Sequence, residues 1–175
     1  MGHIISPLPA KLIMSLFAAR IEILETVTAV LVHRFGMLDF ESQLIDFNQT
    51  TYYEKEFGAQ LKRKFISFKK MIPSESLWRI KKTTNRIEER FTRNDNRQIN
   101  IDPGYLTQAN LILASTKMFF HRIHSNRGIY HEVTLIYQDK TFKSLPWTYP
   151  DYQTEQAKNI FLQIRALYIA QLKQK

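Results

Sequence analysis

Residues 11–47, KLIMSLFAARIEILETVTAVLVHRFGMLDFESQLIDF, decide the architecture. The first eight, KLIMSLFA, are apolar almost without interruption, which predicts a central strand covered on both faces. Ile21, Leu24, Val27, Leu31 and Phe35 then recur at three- and four-residue steps, so a helix is expected over 21–35. Gly36 stands where its C-terminal cap belongs. Phe40 to Phe47 alternates imperfectly and reads as a second strand. The chain therefore opens β-α-β.

Outward from this opening, residues 1–10 hold Gly2, Pro7 and Pro9 and read as a loose lead-in. The polar run 47–58, FNQTTYYEKEFG, has little period and reads as a loop with room for a turn of helix; its Tyr52, Tyr53, Glu54 and Glu56 either reach a ligand or, for the tyrosines, pack the loop at the surface. LKRKFISF, 61–68, is expected as a strand with Lys62 and Lys64 on one face. After Pro73, Ser74 is a good N-cap for a helix running to about Phe91. Leu77, Ile80, Thr84, Ile87 and Phe91 share its buried stripe, and Arg79, Lys82, Arg86, Arg90 and Arg93 form a basic face away from the core. Lys81, Asn85 and Glu88 lie on the flank between them, where they either line a cleft or border the core. The succession β-α-β-β-α-β points to a ferredoxin-like unit.

The remainder completes an α+β chain with about three helices and a mixed or mainly antiparallel sheet. Asn94 to Asn96 reads as a turn, and so does Asp102-Pro103-Gly104, because Pro fixes φ and Gly tolerates a positive one. A strand is expected over 106–116, a turn over 125–128 and a strand over 129–137. On the latter Tyr130, Glu132 and Thr134 face one way and His131, Val133 and Leu135 the other. A hairpin at 138–140 leads to a strand over 141–145. A final amphipathic helix, about 154–174, turns Ala157, Ile160, Phe161, Ile164, Leu167 and Tyr168 inward.

With 175 residues the chain suits one domain that buries roughly 70% of its unfolded surface. The absence of cysteine removes disulfides, thiolate metal sites and a Cys nucleophile, and fits a cytoplasmic protein. The apolar run 12–19 falls short of the about 20 residues a membrane helix needs, so no membrane partner is expected. Residues 61–97 hold twelve basic and four acidic residues and so carry +8 of the formal +9 charge. Such concentration attracts anions, whether RNA, nucleotide phosphates or an acidic partner.

Within 99–137, isolated polar residues interrupt apolar runs in a way packing does not require. Glu132, Asp102 and His121 are the acid and base candidates. Lys117, Arg122 and Lys81 suit anions, and Tyr105, Tyr130 and Trp147 offer stacking surfaces. No convincing nucleophile accompanies them, since Ser115-x-Lys117 is a common spacing. His121-x-x-His124 with His131 is a weak metal pattern, and no metal site is assigned. None of the five glycines supplies the GxxxxGK[ST] spacing of a P-loop, and there is no guanine-reading NKxD.

TTYYEKEFG, IKKTTNRIEE, NIDPGYLTQANLILASTK, HRI, GIYHEVTL and LPWTYPDY, in this order, resemble a bacterial and archaeal family catalogued as domain of unknown function 4416. Its members often carry the label of GTP-binding protein. The resemblance extends from Pro9 to about Leu172. It implies that Tyr53, Glu56, Gly58, Lys81, Asn85, Glu88, Asp102, Gly104, Tyr105, Lys117, His121, Arg122, Tyr130, Glu132, Trp147, Tyr149 and Asp151 belong to a recurrent pattern, from which His124 and His131 are absent. Phe57 departs from the usual Met, and residues 48–51 are less acidic than the pattern. The resemblance implies neither a reaction nor a cofactor.

Three readings follow. One is a nucleotide or phosphorylated small molecule held by Lys117, His121, Arg122 and Glu132, with Lys81, Asn85, Glu88, Tyr105, Tyr130 and Trp147 as further contacts. The second is RNA on the basic helix face. The third is a non-catalytic interaction protein, its oligomeric state open.

Overall fold

The computed structural model describes residues 2–48, 53–58 and 60–174, with the side chains of residues 54 and 55 left aside. The strands are β1 Ala10–Ala18, β2 Leu38–Glu41, β3 Ile45–Asp46, β4 Lys62–Ile72, β5 Thr92–Arg93, β6 Asn96–Arg97, β7 Asn100–Leu106, β8 Asn110–Ser115, β9 Ile123–Asn126, β10 Ile129–Gln138 and β11 Thr141–Ser144. The helices are α1 Ile21–Phe35, α2 Glu54–Phe57, α3 Leu77–Arg90, α4 Pro150–Gln153 and α5 Glu155–Lys173, with a 3-10 turn over Ser74–Ser76. Three of the helices exceed seven residues, and every strand pairing among the described residues is antiparallel. The fold is α+β.

Nine strands join one sheet in the order β11-β10-β8-β7-β1-β4-β2, with β3 beside β4 and β9 beside β10. The first part, β1-α1-β2-β4-α3-β7, lies in the order β7-β1-β4-β2, the fourth, first, third and second strands of that unit. This is the ferredoxin-like interleaving. Helices α1 and α3 pack on one face, through Leu24, Val27, Leu31, Ile80 and Ile87 against Leu12, Met14, Leu16, Ile66 and Ile101. Helix α5 covers part of the other face, setting Ala157, Ile160, Phe161, Ile164 and Tyr168 on Ile13, Phe65, Leu106, Leu111, Leu113 and Leu135. Strand β1, buried along its whole length, is the shared centre of both layers. Gly36 ends α1 at φ +102°, a conformation that suits glycine, and donates to Val32 O at 2.9 Å.

Several local expectations need correction. Asp102-Pro103-Gly104 forms no turn; β7 runs straight through it. Its pairing with β8 covers only Gly104 to Leu106, so the missing N–H of Pro103 falls where the two strands have begun to separate. There α3 takes the place of a neighbouring strand: Lys81 Nζ donates to Ile101 O at 3.0 Å and Ile101 N donates to the Glu88 carboxylate. The face at Gly104 is closed so tightly that an added Cβ would lie 2.4 Å from Ile112 O and 2.6 Å from Leu113 Cδ2.

The second expected strand breaks into β2 and β3. Ser74 opens a 3-10 turn, and the α3 N-cap Ser76 instead donates its hydroxyl to Pro73 O at 2.7 Å. In β10 the register slips between Val133 and Leu135, so Leu135 joins the α5-side core while Val133 packs on the α3 side. Strict alternation would have put them together. Leu167 is on the solvent side of α5.

Lys11, adjoining the apolar run, is wholly buried. Its ammonium contacts Asp39 and Gln171 and donates to Phe68 O at 3.2 Å, so desolvation is offset by an ion pair and two oxygen acceptors. Nearby, Tyr168 OH donates to Pro9 O at 2.9 Å. Strand β1 is thereby tied to the last helix.

Candidate functional site

Beyond the apolar stripe of α5, the same sheet face turns polar. Ser15 is paired across to Asp102 and Phe17 to Asn100, while Leu113 opposes Glu132. Residues 115–122, 147–152 and 53–57 close over this region and bring two charged clusters to it.

The first cluster is centred on Glu132, 2% exposed. Arg122 Nε donates to its Oε2 at 2.7 Å, His121 Nε2 lies 3.0 Å from the same oxygen, and Thr134 Oγ1 donates to Oε1 at 3.3 Å. Because a carboxylate only accepts, this contact uses the Nε2–H of His121; the buried Nδ1 has no partner among the described residues. Arg122 also donates to Ser115 Oγ at 3.0 Å, Lys117 O at 3.1 Å and Tyr149 OH at 3.2 Å. Burial works against the Arg122 charge, but its bonds to Glu132 and Tyr149 outweigh that and hold its pKa above the ordinary value. Trp147 stacks on His121 with centroids 5.1 Å apart and donates Nε1 to Val133 O at 2.8 Å.

The second cluster is centred on Arg97. Its guanidinium forks onto Glu56, with Nε to Oε1 at 2.6 Å and Nη2 to Oε2 at 2.9 Å. Nη1 reaches Glu88 Oε2 at 3.3 Å and Asn100 Oδ1 at 3.1 Å. Asn100 Nδ2 then donates to Asp102 Oδ2 at 2.7 Å, and Lys81 Nζ stands 3.4 Å from Asp102 Oδ1. Hydrogen bonding to Arg97 pulls the Glu56 pKa down, whereas burial pushes that of Glu88 up against the opposing pull of Lys81.

The clusters adjoin. The Asp102 charge is felt by Tyr53, Arg63, Glu88 and Tyr152, that of Lys117 by Glu56, and that of Glu132 by Tyr152. Between them Arg63 is buried, ion-paired to Asp151 and laid 3.9 Å over the Phe47 ring. Burial, with Asp102 next in weight, raises the Tyr53 phenol to about 12. An unfolded tyrosine ionises near ~10, so between those values the unfolded chain has lost a proton that the native state keeps. This contribution to stability is present below pH ~10 and disappears as pH rises through about 12. The thermal midpoint is expected to fall across that window and to fall less in Tyr53→Phe; equal slopes in melts at pH 9 to 12 would refute the assignment.

Of the residues singled out by sequence, the structure gathers Lys81, Glu88, Asp102, Lys117, His121, Arg122, Glu132 and Trp147 around this face. Tyr105 points to the α3 side, edge-on to His131 at 6.5 Å. Tyr130 meets His124 edge-on at 5.4 Å, and Asn85 bonds to neither cluster among the described residues. Tyr52 and the Glu54 side chain lie outside the described residues. Sequence reading missed Arg97, Arg63, Ser115 and Asn100 as site residues. Asn100 was findable: Ile-Asn-Ile-Asp at 99–102 has the period of a strand and sets Asn100 and Asp102 on one face.

Among the described residues no group of three or more His, Cys, Asp or Glu is arranged to hold a metal ion. No helix among them is long and apolar enough to cross a membrane. The family model described as Domain of unknown function (DUF4416) matches residues 8–168. The chain belongs to the DUF4416 family. No curated protein and no solved structure matches it, so the DUF4416 assignment brings no activity with it. The residues of the site must supply the functional reading.

Proposed function

We propose that this DUF4416 protein binds a nucleotide or other phosphate-bearing small ligand on the polar part of the α5-side sheet face. The supporting observation is convergence: residues 53–57, 97–102, 115–122, 132 and 147–152, far apart in sequence, bring charged and aromatic side chains to one place. Hydrogen-bonded basic and aromatic groups are what phosphate and base recognition use.

The buried geometry redistributes the roles. Glu132 is engaged at both oxygens and Arg122 at all three nitrogens, so with His121 they position the loop rather than meet the ligand. The exposed Lys117 and Tyr149 would take the phosphate. Asp102 is also bonded at both oxygens, by Asn100 and Lys81, but its side chain is 32% exposed, so it is the carboxylate within reach of a bound molecule and would be the general base for any proton transfer on it.

The test is a thermal-shift screen with nucleotides, sugar phosphates and divalent metals. A ligand at about 100 times its Kd adds about 2.7 kcal/mol, or roughly 5–10 °C for a chain of this size. The shift should vanish in Lys117→Ala, which should still unfold in one cooperative transition. No shift with any phosphate ligand, or a shift that survives this substitution, would reject the reading.

A second reading has its own observation. Arg79, Lys82, Arg86 and Arg90 form no ion pair among the described residues, leaving the outer face of α3 available to an RNA backbone; Arg93, expected on that face, lies beyond the helix in β5. A midpoint shift with short RNA that disappears in high salt and in an Arg86→Gln, Arg90→Gln double variant would favour it.

A further inference from the structure

Within residues 117–127, KMFFHRIHSNR, Lys117 belongs to the proposed ligand site, whereas Met118, Phe119, Phe120 and Ile123 are exposed apolar residues that it does not use. Met118 is 75% exposed, Phe120 90% and Ile123 76%, with Phe119 beside them at 53%. Contiguous exposure of this kind marks an interaction surface. The root of the loop is fixed: the Arg122 guanidinium, bound to Glu132, lies 5.2 Å over Phe119, and Phe120 meets His121 edge-on at 4.9 Å. The apolar side chains are therefore held out in water by a buried network.

A second observation adjoins the first. Strand β9 pairs only with β10 among the described residues, and all four of its residues are exposed. The opposite edge of the sheet is guarded, since Asp39 and Glu41 of β2 turn to Lys11 and Lys64. Strand β11 carries Lys143. Ile-His-Ser-Asn of β9 has no proline and no permanently charged residue, the usual devices against strand addition. Its surroundings are basic: Arg127 is exposed beside the polar His124, and no Asp or Glu occurs between Asp102 and Glu132.

We propose that the outer edge of β9 and the Met118–Phe120–Ile123 tip dock an extended segment of an acidic partner protein by strand addition. Main-chain hydrogen bonds complete the β9 edge, alternate apolar side chains of the segment cover Phe120 and Ile123, and its carboxylates meet His124 and Arg127. A second copy of the chain would bring an edge with the same basic surroundings, Arg127 included, and no carboxylate to meet them. A bilayer would bury the open N–H and C=O groups of β9 without partners. Single-stranded RNA stacks on rings, which Met118 and Ile123 lack.

The probe is a fluorescein-labelled octapeptide of alternating glutamate and isoleucine, titrated by anisotropy beside its lysine–isoleucine counterpart. The acidic peptide should bind at least about tenfold tighter than the basic one and lose about tenfold in Phe120→Ser and in Ser125→Pro. Amide exchange over 123–126 should slow in the complex. Phe120→Ser should melt with wild type, because the ring is already in solvent. Absence of binding up to about 1 mM, binding unchanged in both variants, or binding without slowed exchange in β9 would overturn the proposal. So would a dimer in sedimentation that Phe120→Ser dissolves, or Phe120-dependent binding of oligouridylate or phosphatidylserine vesicles in place of the peptide.

Discussion

Glu132→Ala is expected to cost about 3–5 kcal/mol of folding stability, which for a chain of this length lowers the thermal midpoint by roughly 10 °C. The carboxylate is the shared acceptor of Arg122 and His121, and the Glu132 and Arg122 side chains are 2% and 4% exposed. Deleting Glu132 leaves a guanidinium in a closed site with only neutral acceptors: Ser115 Oγ, Lys117 O and Tyr149 OH. Water cannot rehydrate it without opening the 115–122 loop. Glu132→Gln keeps an acceptor of the same shape and should lose less than Glu132→Ala, since the hydrogen bond survives and only the charge is missing. Calorimetric or circular-dichroism melts decide the matter. An unchanged midpoint for Glu132→Ala would return Glu132 to the reacting groups.

Gly104→Ala is the second large effect, and its cause is steric. The new methyl carbon would stand 2.4 Å from a backbone oxygen of β8 and 2.6 Å from Leu113 Cδ2, and the first of these cannot swing aside as a side chain can. Strand β7 is held on its other edge by the β1 ladder from Lys11 to Phe17, so it has nowhere to retreat. A loss of about 3 kcal/mol, seen as a lower urea midpoint, is expected. Gly2→Ala is the control, because among the described residues nothing lies within 4 Å of where its Cβ would stand. A Gly104→Ala protein that unfolds with wild type would mean that β7 and β8 lie farther apart than described.

Where local pattern and tertiary packing agree, the sequence was readable. The apolar β1, the α1 stripe with Gly36 and the inward residues of α5 are all periodic or punctuated, and the β-α-β-β-α-β succession carried the strand order with it. Pro103 and Gly104 were misread because their turn chemistry is local, while what holds them in a strand comes from elsewhere. The carbonyl side of that explanation is Lys81, twenty residues away, and the close approach is β8. Lys11 stood in the expected strand as its one charge, and its partners were not readable because nothing in its neighbourhood announces Asp39 and Gln171. The bulge at Val133 to Leu135 was hidden for a similar reason, since every residue there is strand-forming whichever way it faces. The polar residues around Asp102 and Glu132 stood out by type, but their division into two hydrogen-bonded clusters depends on Arg97, whose neighbours in sequence mark only a turn.

The contact of Lys11 with Gln171 spans 160 positions, and this separation becomes a delay when the protein is made. At about 5–20 residues per second, roughly ten to thirty seconds pass on the ribosome between the two. During that interval the apolar α5-side face of β1 and β4 has no helix to cover it, and the buried ammonium lacks one of its acceptors. Release from a stalled ribosome before α5 has emerged should therefore yield a chain that binds a holding chaperone, whereas release after Gln171 is free should yield one that lets it go.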